Sequence, residues 1–265
     1  MKRSPMLVRV RPITARLFPH GPVDVLRQIA LFAIAYYAYR LTRGWIDDGQ
    51  GAAVAFENAR HLINIEQSTH VFVERNVQEF TGGWEFAQDV ASLIYMNAQV
   101  VVTLGALVFI YLFHNERFYF VRNMFIVSMA IALVGYTLYP TAPPRFFFPE
   151  YGFQDTVAQF AGISHDDTVN ALFNPYAAVP SMHCCFAIFI GFTLARCCKH
   201  RWARVFWAVW PLIMTWVVVT TANHWIMDAV LGAATAAISY GAAVWLARVR
   251  PAAWSFSRVP ARATA

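Results

Sequence analysis

Three short polar segments of an otherwise apolar chain carry side chains suited to anion binding and proton transfer. They are residues 139–145, 179–183 and 221–228. Arg145, in the first segment, offers a planar fork of N–H donors that fits an oxyanion in a bidentate manner. His183 and His224, in the other two, carry ring nitrogens that can exchange a proton near neutral pH or attack an electrophile. The chain therefore has the components of an acid–base or nucleophilic site.

The third segment has the most specific spacing. Asp228 follows His224 by four residues, so in a helix the two side chains lie on one face. The carboxylate can accept a hydrogen bond from one ring nitrogen of His224, which fixes the tautomer and leaves the other nitrogen free as a nucleophile. We therefore predict that Asp228 orients His224.

The histidines also lie where helices are expected to begin. Pro180 and Ser181 precede an apolar run, which predicts Ser181 as the N-cap and His183 in the first turn. Asn223 is predicted to cap the last helix in the same way, with His224 in its first turn. Free N–H groups and the helix dipole make such ends attractive to anions. Two facing helix ends would form an anion site.

The elements that position these segments must be membrane helices. Hydrophobic residues make up 58% of the 265 residues and charged residues only 14%, whereas soluble domains carry about a quarter charged residues. The mean hydropathy is +0.43. These values exclude soluble enzymes, disordered chains and disulfide scaffolds. The four cysteines form two adjacent pairs without metal-binding spacing and are interpreted as small apolar helix residues.

Six runs approach the roughly 20 apolar residues that span a bilayer. They are Val25–Leu41, Ser92–Phe113, Phe120–Tyr139, Ser181–Cys198, Ala203–Thr221 and Asn223–Ala247. The first is preceded by 24 residues and lacks a small-residue cleavage site, so we interpret it as an uncleaved helix. Pro211 is expected to kink the fifth run without ending it. The fold class predicted is an all-α, six-helix membrane bundle over residues 25–247.

The basic residues predict the orientation of this bundle. With the N-terminus inside, 16 of the 21 Lys and Arg residues fall on the cytoplasmic side, and 12 of the 15 acidic residues fall in the two outer loops. The positive-inside rule then makes segments 1–24 and 248–265 cytoplasmic and places all three polar segments outside. The net charge of +6 needs no nucleic-acid partner. Arg outnumbers Lys 19 to 2, which is typical of a GC-rich bacterial genome and hence of a bacterial plasma membrane.

The two outer loops, residues 44–91 and 140–180, have different characters. In the first, Ala55–Phe80 has helical periodicity with charges on one face, which predicts an interfacial helix on the outer leaflet. The second is rich in Pro and aromatic residues and is predicted to form an ordered cap. This cap would either exclude water from the site or anchor the protein at the interface. The pairs Asp47-Asp48 and Asp166-Asp167 are alternatives for a divalent metal, but solvated loop acids explain them better, so no metal or other cofactor is predicted.

The combination of Pro-Pro-Arg145, Pro-Ser-Met-His183 and His224-x-x-x-Asp228 resembles the type 2 phosphatidic acid phosphatase superfamily. The wording Tyr-Pro-Thr-Ala-Pro-Pro-Arg145 is most similar to its inositolphosphotransferase-like branch, to which inositol phosphorylceramide synthase belongs. The resemblance covers roughly residues 52–247. It implies a phosphatidic acid phosphatase/haloperoxidase-like helical fold.

The resemblance also implies a role for each motif residue. His224 would attack phosphorus and form a phosphohistidine, Asp228 would assist it, and His183 would protonate the leaving oxygen. Arg145, with the N–H groups near Ser181 and Met182, would hold the phosphoryl oxygens. The substrate implied is a phospholipid or a polyprenyl phosphate, and the acceptor is water or an alcohol such as inositol or a lipid or sugar hydroxyl.

Two positions depart from the phosphatase pattern. Leu138 stands where that pattern has a Lys, and Val218 stands where it has an Arg. Two cationic phosphate ligands are therefore missing, which favours the inositolphosphotransferase-like branch and leaves Arg145 with more of the electrostatic work. Two alternatives stay open at this point. One is a simple lipid phosphatase that uses water, and the other is a non-catalytic membrane protein that binds haem through His183 and His224.

Overall fold

The computed structural model describes residues 17–43, 49–162 and 176–249, and within these ranges the chain is helical, with one isolated backbone bridge between Thr141 and Ala177. The long helices are α1 (Pro22–Arg43), α2 (Gly49–Ser68), α3 (Glu74–Gly82), α4 (Glu85–Phe113), α5 (Asn115–Leu138), α6 (Met182–Cys197), α7 (Arg201–Thr220) and α8 (Ile226–Val249). Short helical turns at Pro144–Phe147, Phe148–Tyr151 and Thr156–Ala161 lie between α5 and α6.

Four helices of the described part, α4, α5, α7 and α8, are long and apolar enough to cross a membrane. Helix α6 is also apolar but has only 16 residues. The chain is therefore a multi-pass membrane protein, as its composition predicted. The acidic pairs Asp47-Asp48 and Asp166-Asp167 lie outside the described residues, as do the predicted cytoplasmic tail and most of the N-terminal segment.

Helix α6 lies at the centre of the bundle, because it packs against α4, α5, α7 and α8. Cys184, Cys185, Phe189 and Ile190 are all buried. A helix that is apolar on all sides is expected to be surrounded by other helices. The buried thiols confirm the interpretation of the first cysteine pair as small apolar residues, and Phe186 contacts Phe125 of α5 with ring centroids 4.5 Å apart. The packing of α6 therefore fixes the position of the residues at its N-terminus, which include His183.

Helices α6 and α8 approach each other most closely at their N-terminal ends. The N–H of Ser181 donates to the backbone carbonyl of Asp228, with 3.0 Å between nitrogen and oxygen. A Cβ atom added at Gly232 would lie only 2.4 Å from the Ser181 carbonyl oxygen. The glycine is therefore required at this crossing because any side chain would push the two backbones apart.

Gly232→Ala is expected to destabilise the fold and lower activity, because overpacking typically costs about 1–3 kcal/mol. Gly241→Ala, in the same helix, is the matched control, since nothing lies within 4 Å of a Cβ there. The measurement is the unfolding midpoint of each purified variant in detergent. Equal midpoints for the two variants would show that the crossing is looser than this geometry.

One basic residue counted as cytoplasmic is in fact inside the bundle. Arg122 of α5 is fully buried, and its guanidinium donates to the side-chain oxygens of Gln28 and Asn123 at 2.8 and 2.7 Å. Asp24 accepts hydrogen bonds from Gln28 and from Tyr119. These bonds join α1 to α5. A charge buried in a membrane helix needs such partners because an unpaired one is costly in hydrocarbon.

The predicted continuous helix Ala55–Phe80 is wrong, because the chain breaks between α2 and α3. His70 has a φ of +59°, and the N–H groups of Val71 and Phe72 both donate to the Glu66 carbonyl, which ends α2. The break turns α3 back toward the N-terminus of α8.

Candidate active site

The three polar segments meet at one end of the bundle. The backbone N–H of Arg145 donates to the Ala222 carbonyl at 2.9 Å, and its guanidinium donates to the side-chain oxygen of Asn223. The rings of His183 and His224 lie edge to face with 5.6 Å between their centroids. All four side chains predicted for catalysis and phosphate binding from these segments are thus neighbours.

The predicted contact between His224 and Asp228 is present. Nδ1 of His224 lies 3.2 Å from Oδ2 of Asp228, and the same oxygen accepts the backbone N–H of Trp225 at 3.0 Å. The Asp228 side chain is fully buried and that of His224 is 6% exposed. Since an ionised carboxylate can only accept, Nδ1 of the neutral ring carries the proton and Nε2 has the free lone pair. This is the tautomer that nucleophilic attack requires.

The N-terminus of α8 is not an open anion site, which corrects the expectation for this end. Helix α8 begins at Ile226, so His224 precedes its first turn and Asn223 does not cap it. The side-chain amide of Asn223 donates to the Thr221 carbonyl while its oxygen accepts from Arg145. The first two helical N–H groups, of Ile226 and Met227, donate instead to Glu74 and Glu66, each at 2.7 Å. Two carboxyl groups of the protein already occupy this end, so an external phosphate cannot use it.

The N-terminus of α6 is partly open. Ser181 is the N-cap as predicted, and its hydroxyl oxygen accepts the N–H of Cys184. The N–H of Ser181 itself is taken by the Asp228 carbonyl, so its amide cannot bind phosphate as the motif implied. Within residues 17–43, 49–162 and 176–249, no acceptor takes the N–H of Met182 or of His183. These two amides are the ones available to an oxyanion.

Arg145 is held from several sides. Its Nε lies 3.4 Å from the Asp155 carboxylate, and its guanidinium stacks 4.8 Å above the Phe146 ring. Asp155 also caps the short helix Thr156–Ala161 by accepting the N–H of Ala158. At the positions that lack cationic ligands, Leu138 is 75% exposed and Val218 is fully buried. The positive charge of Arg145 is therefore partly balanced by the Asp155 carboxylate before any phosphate binds.

Helix α4 contributes to the site in a way that the sequence did not indicate. The Tyr95 ring stacks on His183 with centroids 4.6 Å apart and 24° between the planes. One turn further on, Ala98–Val102 form a π-helical turn. A cavity of about 10 Å³, lined by Gln99, Thr103 and His183 among others, lies there. π-helical turns frequently occur at functional sites, and this one lies beside a predicted catalytic side chain.

An aromatic cluster joins the loop after α5 to the site. The Trp225 indole N–H donates to the Ala142 carbonyl at 2.9 Å, and the fully buried ring contacts Phe72, Phe147 and Phe153. Phe147 and Phe153 are therefore core residues, whereas Phe148 is 60% exposed. Residues 142–153 of this loop therefore pack around Trp225, the residue next to His224.

The comparisons with known proteins give a family and no individual relative. The family model of the PAP2 superfamily, the type 2 phosphatidic acid phosphatases that the motifs resemble, matches residues 60–242. This match covers more than half of the chain and includes all three polar segments. No curated protein and no solved structure matches it. Membership suggests phosphatase- or phosphotransferase-type activity on a substrate such as a lipid phosphate in a membrane. The fold, the membrane helices and this match together show that the chain belongs to the PAP2 superfamily.

Proposed function

We propose that the protein is a membrane lipid-phosphate phosphotransferase or phosphatase that works through a phosphohistidine. The observation that carries the proposal is the arrangement of the two histidines: His224, oriented by buried Asp228, faces His183 across 5.6 Å beside Arg145. A nucleophile with an orienting partner and a second group able to transfer a proton are what covalent phosphoryl transfer needs. The haem alternative gives Asp228 and Arg145 no role.

The reaction divides into two displacements. Nε2 of His224 attacks phosphorus, and the bond from phosphorus to the leaving oxygen breaks while protonated His183 gives that oxygen a proton. His183, now neutral, then takes the proton of water or an alcohol as its oxygen attacks the phosphohistidine. The phosphorus–nitrogen bond breaks and returns His224 to its neutral form. His183 gives up a proton in the first displacement and regains one in the second, so the protein ends the cycle in its starting protonation state, and no residue of the proposal requires a metal ion.

The phosphoryl oxygens are held by Arg145 and by the amides at the start of α6. The N–H groups of Met182 and His183 point out of a helix N-terminus, where the dipole favours negative charge. Asn223 and Asp155 fix the guanidinium of Arg145. Preorganised donors of this kind stabilise the charge that develops in the transition state without reorganising.

The proposed topology has six spans within residues 25–247. Helices α1 and α6 are added to the four long apolar helices, α1 because its buried polar residues bind α5 and α6 because it lies at the bundle centre. Without the buried Arg122, 15 basic residues on one side face 5 on the other, and this distribution supports both termini in the cytoplasm of a bacterial cell and the site at the outer face of the plasma membrane. Helices α2 and α3 would lie at the outer interface.

The charge balance supports the inositolphosphotransferase-like branch. Arg145 is shared with Asp155, and the apolar residues Leu138 and Val218 replace two cations of the phosphatase pattern. A site with so little positive charge suits a singly charged phosphodiester better than a doubly charged monoester. The donor would then be a phosphodiester lipid and the acceptor an alcohol such as inositol or a lipid or sugar hydroxyl.

The purified protein is expected to turn over a phosphodiester lipid with a higher kcat/KM than the corresponding monoester. Asp155→Asn should raise monoester turnover by about tenfold, which corresponds to about 1.4 kcal/mol of electrostatic interaction. The assay uses donor lipid labelled at phosphorus, with and without an alcohol acceptor, and separates transfer products from hydrolysis products. Faster turnover of the monoester by the unmodified protein would contradict the branch assignment. Glu150→Gln, an exposed carboxylate of the same loop, is the matched control.

A further inference from the structure

Two glutamates that the proposed reaction does not use are buried against the N-terminus of α8, the helix that carries Asp228. Glu66, near the end of α2, and Glu74, the first residue of α3, are both fully buried. Oε1 of Glu66 accepts the Met227 N–H, and Oε1 of Glu74 accepts the Ile226 N–H. These amides come two and three residues after His224. The pair therefore holds the backbone on which the nucleophile and its aspartate are mounted.

Among the described residues, the second oxygen of each carboxyl group has no hydrogen-bond partner except the other carboxyl group. Oε2 of Glu66 and Oε2 of Glu74 are buried and have no donor among the described residues. The two carboxyl groups accept from the N–H groups of consecutive residues, Ile226 and Met227, so they lie beside each other, and the proximity of Glu74 raises the pKa of Glu66. Two ionised carboxylates so placed would repel, and each would leave a buried acceptor unsatisfied. One proton between the two Oε2 atoms satisfies both.

We propose that Glu66 and Glu74 share one proton and act as a positioning pair, which clamps the first turn of α8 and thereby sets the place of His224 opposite His183. This inference rests on the proposed function only for its activity readout. The pair with one proton carries a single negative charge, which suits the positive end of the helix dipole. Neither glutamate touches the reacting atoms, since both act through the backbone of α8.

The environment favours the protonated form of Glu66. Burial, together with the Glu74 carboxylate of α3 and the Asp228 carboxylate of α8, raises the pKa of Glu66 from its ordinary 4.5 to about 9, although the hydrogen bond from the Met227 N–H lowers it. As pH rises above 4.5, the unfolded chain releases this proton while the folded chain keeps it. The contribution to stability is thus full below pH 4.5 and is lost progressively as pH rises through about 9.

Glutamine substitutions test the shared proton directly. In Glu66→Gln, the amide NH₂ can donate to Glu74 while the amide oxygen still accepts from Met227, and Glu74→Gln is the mirror case. We expect each single variant to keep kcat within about threefold of the unmodified protein. The double variant places two NH₂ groups against each other, so one must turn away from α8, and a displacement of about 1 Å can lower kcat about 100-fold. KM should change little, because Arg145 and α6 are untouched.

The controls separate positioning from folding and from the function itself. Glu57→Gln, an exposed carboxylate of α2, should behave as the unmodified protein. Unfolding midpoints measured between about pH 6 and pH 9 should fall for the unmodified protein and stay flatter for Glu66→Gln. Single variants as inactive as the double would overturn the shared proton, and so would an unchanged pH dependence in Glu66→Gln. A fully active double variant would overturn the positioning role. If the unmodified protein turns over no lipid phosphate, the proposed function fails, while the midpoints still decide the proton.

Discussion

His224→Ala is expected to lose all turnover, whatever the leaving group, because the proposed reaction forms its bond to phosphorus through Nε2 of His224. In the structure, Nδ1 of His224 is held by Asp228, so its Nε2 is the atom available for attack. The expected result is activity at the background rate on natural lipid and on a p-nitrophenyl phosphate ester alike. The measurement includes covalent labelling: donor labelled at phosphorus should leave an acid-labile, base-stable label on the unmodified protein and none on the variant.

His61→Ala is the matched control, since this histidine lies on α2 and is exposed. It should keep both the turnover and the label. A His224→Ala protein that still took up label would place the covalent intermediate on another side chain, and the two-displacement scheme would then be wrong at its first step.

His183→Ala separates proton transfer from attack. Its predicted role is to protonate the leaving oxygen, which typically contributes about 10²–10⁴-fold to the rate. A lipid or sugar oxygen leaves poorly without a proton, so turnover of natural lipid should fall by that factor. A p-nitrophenolate leaves unprotonated at neutral pH, so its release in the first displacement, measured in a single turnover, should be largely retained. The second displacement should be slowed on either substrate, because His183 is also the base of that step. The ratio of the first-displacement rates on the two substrates, measured on the same preparation, is the decisive quantity.

Two outcomes would contradict this division of labour. If His183→Ala loses the first displacement on the activated ester as completely as His224→Ala does, His183 does more in that step than donate a proton. If His224→Ala is spared on the activated ester while His183→Ala is inactive, nucleophile and acid are the reverse of the assignment. Tyr95→Phe tests the stacking contact with His183 by itself, because this variant keeps the ring and removes only the hydroxyl.

Local patterns predicted those parts of the site that depend on local geometry. The i, i+4 spacing predicted the contact between His224 and Asp228, although His224 lies before α8 and not on its face, and a Ser after a Pro predicted the cap of α6. Hydropathy predicted the membrane helices. Asn223 shows where local patterns fail. Its position before an apolar run predicted a helix cap, but its side-chain oxygen accepts a hydrogen bond from Arg145, 78 residues away.

The glutamates were missed for the same reason, although the sequence held a signal. Glu66 binds a backbone amide 161 residues away, and no spacing rule reaches that far. Yet Ala55, Ala59 and Leu62 are buried on one face of α2, and Glu66 continues that face. A carboxylate on an apolar stripe indicates a buried partner. The break at His70 was missed because the helical period continues across it without Gly or Pro.

The crossing of α6 and α8 has a consequence for the membrane in which the protein works. Ser181 is hydrogen-bonded to Asp228 and lies against Gly232, so the two helices are joined backbone to backbone at the level of the histidines. Helices respond to bilayers of different thickness by tilting. Tilting about a fixed crossing moves the far ends of the helices and leaves the crossing in place. We therefore expect the distance between the His183 and His224 rings to depend little on bilayer thickness.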